Sequence, residues 1–263
     1  MWRASLLAFA GLAGLAMLLS ACGTQTTDTE AGDPSTNDET PFVMTADGEV
    51  EVSCGGEKGW APSVMTEGVP GILTDSEATQ LFEDILSDPA TGGEAGPTLF
   101  RDGVGVEWRV LRHDDESLTI GLGRWTERGP VGEGAYVLGM EREADSWRAG
   151  GWGDCHLSPV LKDGYALVEV TSYRGDPADT TITAKVHERE CVSGRDPGPF
   201  LHEPFVVETV DSVTIYWTSE PPSGDQTCQG NPSVERGIEL SEPLDARTVL
   251  DGSSYPPREV GTP

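Results

Sequence analysis

Positive charge is what this sequence has least of. Its 263 residues carry 17 lysines and arginines against 45 aspartates and glutamates, a formal charge of −28. Lysine occurs only at Lys58, Lys162 and Lys185, and no basic cluster exists. A protein that binds nucleic acid needs a positive face to displace counterions from phosphates, so no nucleic-acid partner is expected. An anionic membrane surface would repel the chain electrostatically. Three readings of the acidity stay open. It serves solubility, it forms a face that attracts cations or a basic partner, or it is an adaptation to salt.

Motifs for chemistry are equally scarce. The Gly-x-Ser-x-Gly elbow of serine hydrolases is absent. His187-Glu188 and His202-Glu203 begin a His-Glu-x-x-His zinc motif, but no second histidine follows either pair. The four histidines, His113, His156, His187 and His202, are scattered. Asp114-Asp115-Glu116 lacks the spaced oxygens and the glycine of a calcium loop and reads as a solvated turn. No glycine-rich phosphate loop occurs. Arg174-Gly175-Asp176 stands before Pro177 where a strand should reverse, and reads as a turn. No catalytic, cofactor-binding or metal-ligating residue is therefore assigned, and no cofactor is expected. The balance leans away from an enzyme. Paired carboxylates could serve a glycosidase, but among 45 acids no pair stands out.

Long apolar runs are missing too, apart from Ala4 to Leu19. At about 16 residues this run is short of the roughly 20 that span a bilayer. It follows Met1-Trp2-Arg3, a short segment with one positive charge, and it ends in Leu19-Ser20-Ala21-Cys22. That ending resembles a bacterial lipobox, an aliphatic residue and two small ones before a lipid-bearing cysteine. The resemblance implies that residues 1–21 are a lipoprotein signal peptide and that Cys22 carries a thioether-linked diacylglycerol. Two acyl chains, at about 0.8 kcal/mol per buried methylene, anchor stably where one does not. The expected location is the outer face of the plasma membrane, with the membrane as a partner through the lipid alone. Removing Arg3 with the signal leaves 45 acids against 16 bases, or −29.

Four cysteines remain after Cys22: Cys54, Cys155, Cys191 and Cys228. An even number in an exported chain reads as two disulfides, and four cysteines allow three pairings. A chain dividing near residue 160 would pair Cys54 with Cys155 and Cys191 with Cys228, one bridge on each side. A zinc site is the poorer reading, because no two of these cysteines stand at the short spacing of a metal loop.

From Gly23 to about Pro41 the chain is Thr, Asp, Glu, Gly, Ser, Asn, Gln and Pro with one Ala, too polar to offset the entropy of ordering. Residues 22–41 are expected to be a disordered tether reaching roughly 25 Å from the membrane. Residues 42–160 predict an α+β domain. Thr74-Asp75-Ser76-Glu77 has capping-box spacing, and Ala78, Leu81, Phe82, Ile85 and Leu86 form one helical stripe that ends at Asp88-Pro89. Four strand-like segments follow. Val104, Val106, Trp108 and Val110 alternate with polar residues and glycine, as do Leu118, Ile120 and Leu122. Tyr136, Leu138 and Met140 make the third, and Trp147 to Trp152 the fourth. Their close spacing predicts an antiparallel meander with one face under the helix.

Residues 161–263 predict an all-β, sandwich-like domain. Its strands fall at Tyr165 to Ser172, Thr180 to His187, Phe205 to Val210, Val213 to Trp217 and Ile238 to Leu240. The tail Asp251 to Pro257 is expected to be extended along the surface. Trp60, Trp108, Trp125, Trp147 and Trp152 crowd the first half. They read either as core and sheet packing or as a stacking platform for a sugar or other flat ligand.

Two sets of residues carry a further likeness. Gly151-Trp152-Gly153-Asp154-Cys155 is one; the other is His187 to Cys191 with Cys228 to Pro232 and Leu250 to Pro257. They resemble segments of uncharacterised secreted proteins and lipoproteins of actinobacteria. The resemblance implies location and disulfide use, and no activity. The functional expectation is a non-catalytic binding or interaction module at the cell surface, with an envelope protein or glycan as ligand. An envelope glycan hydrolase and a purely structural envelope protein are the alternatives.

Overall fold

The computed structural model describes residues 40–55, 58–87, 107–132, 135–144 and 146–262. The expected signal peptide, Cys22, nearly all of the expected tether, Asp88-Pro89, Val104 and Val106 lie outside the described residues. What is described is mostly β, in several antiparallel sheets with few helices.

The first half runs β1 (Val52–Ser53), α1 (Val64–Glu67), α2 (Asp75–Ser87), β2 (Trp108–His113), β3 (Ser117–Leu122), β4 (Trp125–Thr126), β5 (Gly129–Pro130), β6 (Tyr136–Glu143), β7 (Ser146–Asp154) and β8 (Ser158–Pro159). The capping box forms at α2. The Thr74 amide donates to the Glu77 carboxylate at 2.7 Å, and the Glu77 amide donates back to the Thr74 hydroxyl at 3.3 Å. These bonds, the Thr74 amide first, hold the Glu77 carboxyl below its ordinary pKa. Ala78, Leu81 and Ile85 are buried, and Leu81 and Ile85 join the cluster of Val110, Leu118, Ile120, Leu122, Leu138 and Met140. Each such large aliphatic side chain contributes about 1.5–3 kcal/mol by leaving water.

Strands β2, β3, β6 and β7 lie side by side in that order, all antiparallel. The sequence alternation gives this sheet one apolar face, yet both faces are covered. Val110 and Leu111 are both buried, at an irregularity of register between Val110 and Arg112. Val110 faces the α2 cluster; Leu111 enters a second cluster with Val52, Trp60, Met65, Trp125, Cys155 and Leu157. Gly121 allows this packing, since a β-carbon there would stand 2.9 Å from the Trp125 ring.

The second half runs β9 (Ala166–Arg174), β10 (Thr181–Glu188), a 3₁₀ turn (Gly198–Phe200), β11 (Phe205–Glu208), β12 (Ser212–Ser219), β13 (Val234–Glu239), β14 (Thr248–Asp251) and β15 (Arg258–Glu259). The strands form one seven-stranded sheet ordered β13-β10-β9-β12-β14-β15, with β11 also on β12. Strand β12 is the shared member. Trp217 to Ser219 pair antiparallel with β9, while Ser212 to Ile215 pair parallel with β14. Val168, Val170, Ile182, Ala184 and Val186 from β9 and β10 meet Val213, Ile215, Trp217 and Val249 in one core.

The tail departs from expectation. Asp251, Gly252 and Ser253 are buried rather than laid along the surface, and Asp251 ends a paired strand, Thr248–Asp251. Its polar composition hid this, because the burial is satisfied by hydrogen bonds and not by apolar side chains. The tail then reaches back to the first half. The Tyr255 amide donates to the Leu157 carbonyl at 2.9 Å and its hydroxyl to the Glu127 carbonyl at 3.1 Å. At the other end, the Val43 amide donates to the Val160 carbonyl at 2.9 Å, and the Phe42 ring lies 4.9 Å from that of Tyr216. All described residues belong to one compact unit, Glu39–Pro263.

Candidate functional site

Strand periodicity creates an aromatic cleft. On β12, Val213, Ile215 and Trp217 point into the core, so Tyr216 and Thr218 point to the opposite face. The β11–β12 pairing sets Phe205 directly across from Tyr216, with ring centroids 6.1 Å apart. Phe42 is buried and lies edge-on to both Phe205 and Tyr216. At the outer end Tyr165, 39% exposed, makes an edge contact with His202 at 5.0 Å. The result is a cleft of about 370 Å³ lined by Pro41, Tyr165, His202, Glu203, Pro204, Phe205, Tyr216 and Thr218.

The walls are held firmly. The His202 amide donates to the Thr218 carbonyl at 3.0 Å, the Trp217 indole N–H donates to the His202 carbonyl at 2.8 Å, and His202 Nδ1 lies 3.1 Å from the Thr218 hydroxyl. Tyr216 backs onto Gly252, whose amide donates to the Ile215 carbonyl at 2.8 Å. Burial, with the Tyr255 phenol adding to it, pushes the Tyr216 pKa up and keeps its ring neutral. Glu203 is exposed at the rim. Among the described residues lining the cleft none is Lys or Arg. Such a site offers aromatic surface, three hydroxyls (Tyr165, Tyr216 and Thr218), one imidazole and one carboxylate.

A second polar cluster lies where β9 meets the tail. Asp251 is fully buried and accepts from the Val170 and Ser253 amides at 3.2 Å and from the Ser253 hydroxyl at 2.7 Å. Burial raises its pKa against these bonds, and the Glu169 charge adds to the rise. Arg258 pairs with Glu169 and stands 3.4 Å from Asp251, while His187 Nε2 is 3.5 Å from Glu169. His187 also lines a groove of about 540 Å³ beside the Cys191–Cys228 bridge. The buried Asp251 is sealed from any substrate, so this cluster fixes the tail to β9.

The four cysteines after Cys22 are joined as Cys54–Cys155 and Cys191–Cys228, with Cα separations of 4.9 and 4.6 Å. The five tryptophans do not assemble a platform. Trp60 and Trp125 are buried, Trp108 and Trp147 are partly buried against the α2 cluster, and Trp152 stands 37% exposed beside Tyr136. Asp114 caps the β2–β3 turn, accepting from the Ser117 amide at 2.7 Å, and Asp176 accepts from Ala178 at 2.9 Å in the turn after β9. His113 packs on Trp147, and His156 is exposed. Among the described residues no group of three or more His, Cys, Asp or Glu could hold a metal ion.

Sequence reasoning missed the cleft, because its walls come from four separate segments. A local signal that could have found it is the alternation of Tyr216 and Thr218 with the core-facing Ile215 and Trp217. Comparison with protein-family models, with curated proteins and with solved structures finds no match to this chain.

Proposed function

We propose that this protein is a lipid-anchored, non-catalytic binding module of the cell envelope, and that the Tyr165–His202–Phe205–Tyr216 cleft is its ligand site. The cleft carries the reading. It is concave, aromatic, built on paired strands and braced by hydrogen bonds, which is the form that small-ligand sites take. The anchor rests on Leu19-Ser20-Ala21-Cys22 and on two disulfides, which persist in oxidising compartments. In finer terms, residues 42–160 act as a helix-on-meander domain and residues 161–263 as a sandwich-like one that presents the cleft. Separate hydrophobic clusters on the two sides support that division.

Two experiments test this. Wild type and Cys22→Ala are fractionated and their N-termini analysed by mass spectrometry. Lipid on Cys22, with loss of membrane attachment in the variant, is expected; a soluble, unlipidated wild type overturns the anchor. The full mature protein is then titrated with fragments of envelope glycan and small envelope metabolites. A ligand whose binding is lost in Tyr165→Ala and kept in Tyr165→Phe is expected. Turnover of a glycan, abolished by changing one carboxylate, would replace the binding reading with the hydrolase.

A further inference from the structure

We infer that the ligand of this cleft is an organic cation, an alkylammonium group of the size of a trimethylammonium head. The inference rests on the cleft being the ligand site and adds the chemistry of what it holds. Four observations converge. First, the walls are Tyr165, Phe205, Tyr216 and the His202 ring, and aromatic faces attract cations through their quadrupole. Second, the charged side chain at the rim is Glu203, a carboxylate, with no Lys or Arg among the described lining residues to oppose a cation. Third, the whole chain carries −28, so long-range attraction brings cations toward it and repels anions.

Fourth, one polar pair of the wall is already engaged: the Thr218 hydroxyl and His202 Nδ1 face each other at 3.1 Å. The other neutral polar groups of the lining are the Tyr165 and Tyr216 hydroxyls. A saccharide carries more hydroxyls than these groups match, and burying hydroxyls without partners is unfavourable. A methylated ammonium presents only polarised C–H groups, which need ring faces and a nearby negative charge. The space of about 370 Å³ fits such a head and the first atoms of its chain. Tyr216 is positioned for this role by Gly252, and its raised pKa keeps the ring a neutral wall.

The probes are choline and its uncharged carbon isostere, 3,3-dimethylbutan-1-ol, titrated calorimetrically into the full lipidated protein in neutral detergent at constant ionic strength. Choline is expected to bind at least about tenfold more tightly than the isostere. Tyr165→Ala should weaken choline about fivefold or more and Tyr165→Phe by less than about twofold, as expected for a ring-face contact. Glu203→Gln should weaken choline and leave the isostere unchanged. Equal affinity for the two probes overturns the cation and leaves the cleft standing as an apolar ligand site. Failure of both to bind overturns the inference, and the glycan and metabolite titration then judges the cleft separately. Choline binding unaffected by Tyr165→Ala and Glu203→Gln places it elsewhere and overturns the inference as well.

Discussion

The Tyr216 ring lies against the backbone of Gly252 so closely that a β-carbon on residue 252 would overlap it. The buried tail is thus the floor on which the cleft's central ring rests. Gly252 sits between Asp251, tied to β9 through Val170, and Ser253, so the backbone has little freedom to retreat. Gly252→Ala is expected to displace the Tyr216 ring and weaken ligand binding at the cleft about tenfold, with a loss of stability of about 1–3 kcal/mol from overpacking. Binding titration and urea denaturation check the two effects. Unchanged binding would mean that the ring's position is not set by this contact.

Asp251 should leave its mark on the pH dependence of stability. Its carboxyl is raised above the ordinary 3.8, burial outweighing the bonds from Ser253 and Val170. A raised folded pKa means that the native state keeps its proton longer than the unfolded chain. Below about pH 3.8 the group is protonated in both states and adds no slope. As pH rises through that value the unfolded chain ionises first, and the native state loses ground until the folded pKa is passed. Asp251→Asn removes this term while keeping an acceptor for the Val170 and Ser253 amides. The variant should therefore gain on wild type as pH rises from about 4 toward neutrality, measured as the difference in urea midpoints. The reverse trend would show that Arg258 and the hydrogen bonds outweigh burial.

Much of the scaffold was legible in the sequence, for identifiable reasons. The α2 stripe and the Thr74–Glu77 box are local signals, and so are the period-2 patterns of β3, β6 and β10 and the apolar, β-branched run of β9. Where a strand is stabilised by long-range polar contacts, the pattern fails. Asp251 to Ser253 read as surface tail because the hydrogen bonds that satisfy their burial include one from Val170, more than 70 residues away in sequence. Leu111 sits out of phase because β2 is irregular there. The cleft was hidden for a similar reason: Phe42, Tyr165, His202 and Tyr216 become neighbours only when β12 is shared between β9, β11 and β14. The tryptophans drew the eye instead, and they serve mainly as packing.

The Glu188–Arg195 pair is expected to hold the segment that carries Cys191. Glu188 is 2% exposed and accepts from Arg195 and from the Ser219 hydroxyl, the latter at 2.8 Å. Arg195 also stacks over Phe200 with its guanidinium carbon 4.0 Å from the ring centre. Glu188→Gln leaves the guanidinium partly buried without its counter-charge and should destabilise by about 2–3 kcal/mol. Arg174→Gln breaks the Arg174–Glu235 pair, in which both side chains are more than half exposed. Such a pair contributes at most about 1 kcal/mol. Equal effects in chemical denaturation would contradict the burial argument.

The two disulfides should differ in lability although both stabilise. Loop closure gives about 4.7 kcal/mol for the Cys54–Cys155 separation of 101 residues and about 4 kcal/mol for the 37 residues of Cys191–Cys228. Access separates them more than entropy does. Cys155 is buried in the cluster with Trp60 and Trp125, whereas Cys228 is exposed on the rim of the groove beside His187. Thiol attack needs a clear approach to a sulfur, so the native protein should lose the Cys191–Cys228 bridge first. Timed treatment with a mild thiol, followed by alkylation and peptide mapping, should label Cys191 and Cys228 while Cys54 and Cys155 stay joined. Those two should react only after the first-half core opens, so adding urea should accelerate their labelling far more than that of Cys228. Simultaneous labelling of all four in the absence of urea would show that the cluster around Trp60 and Trp125 does not shield its bridge.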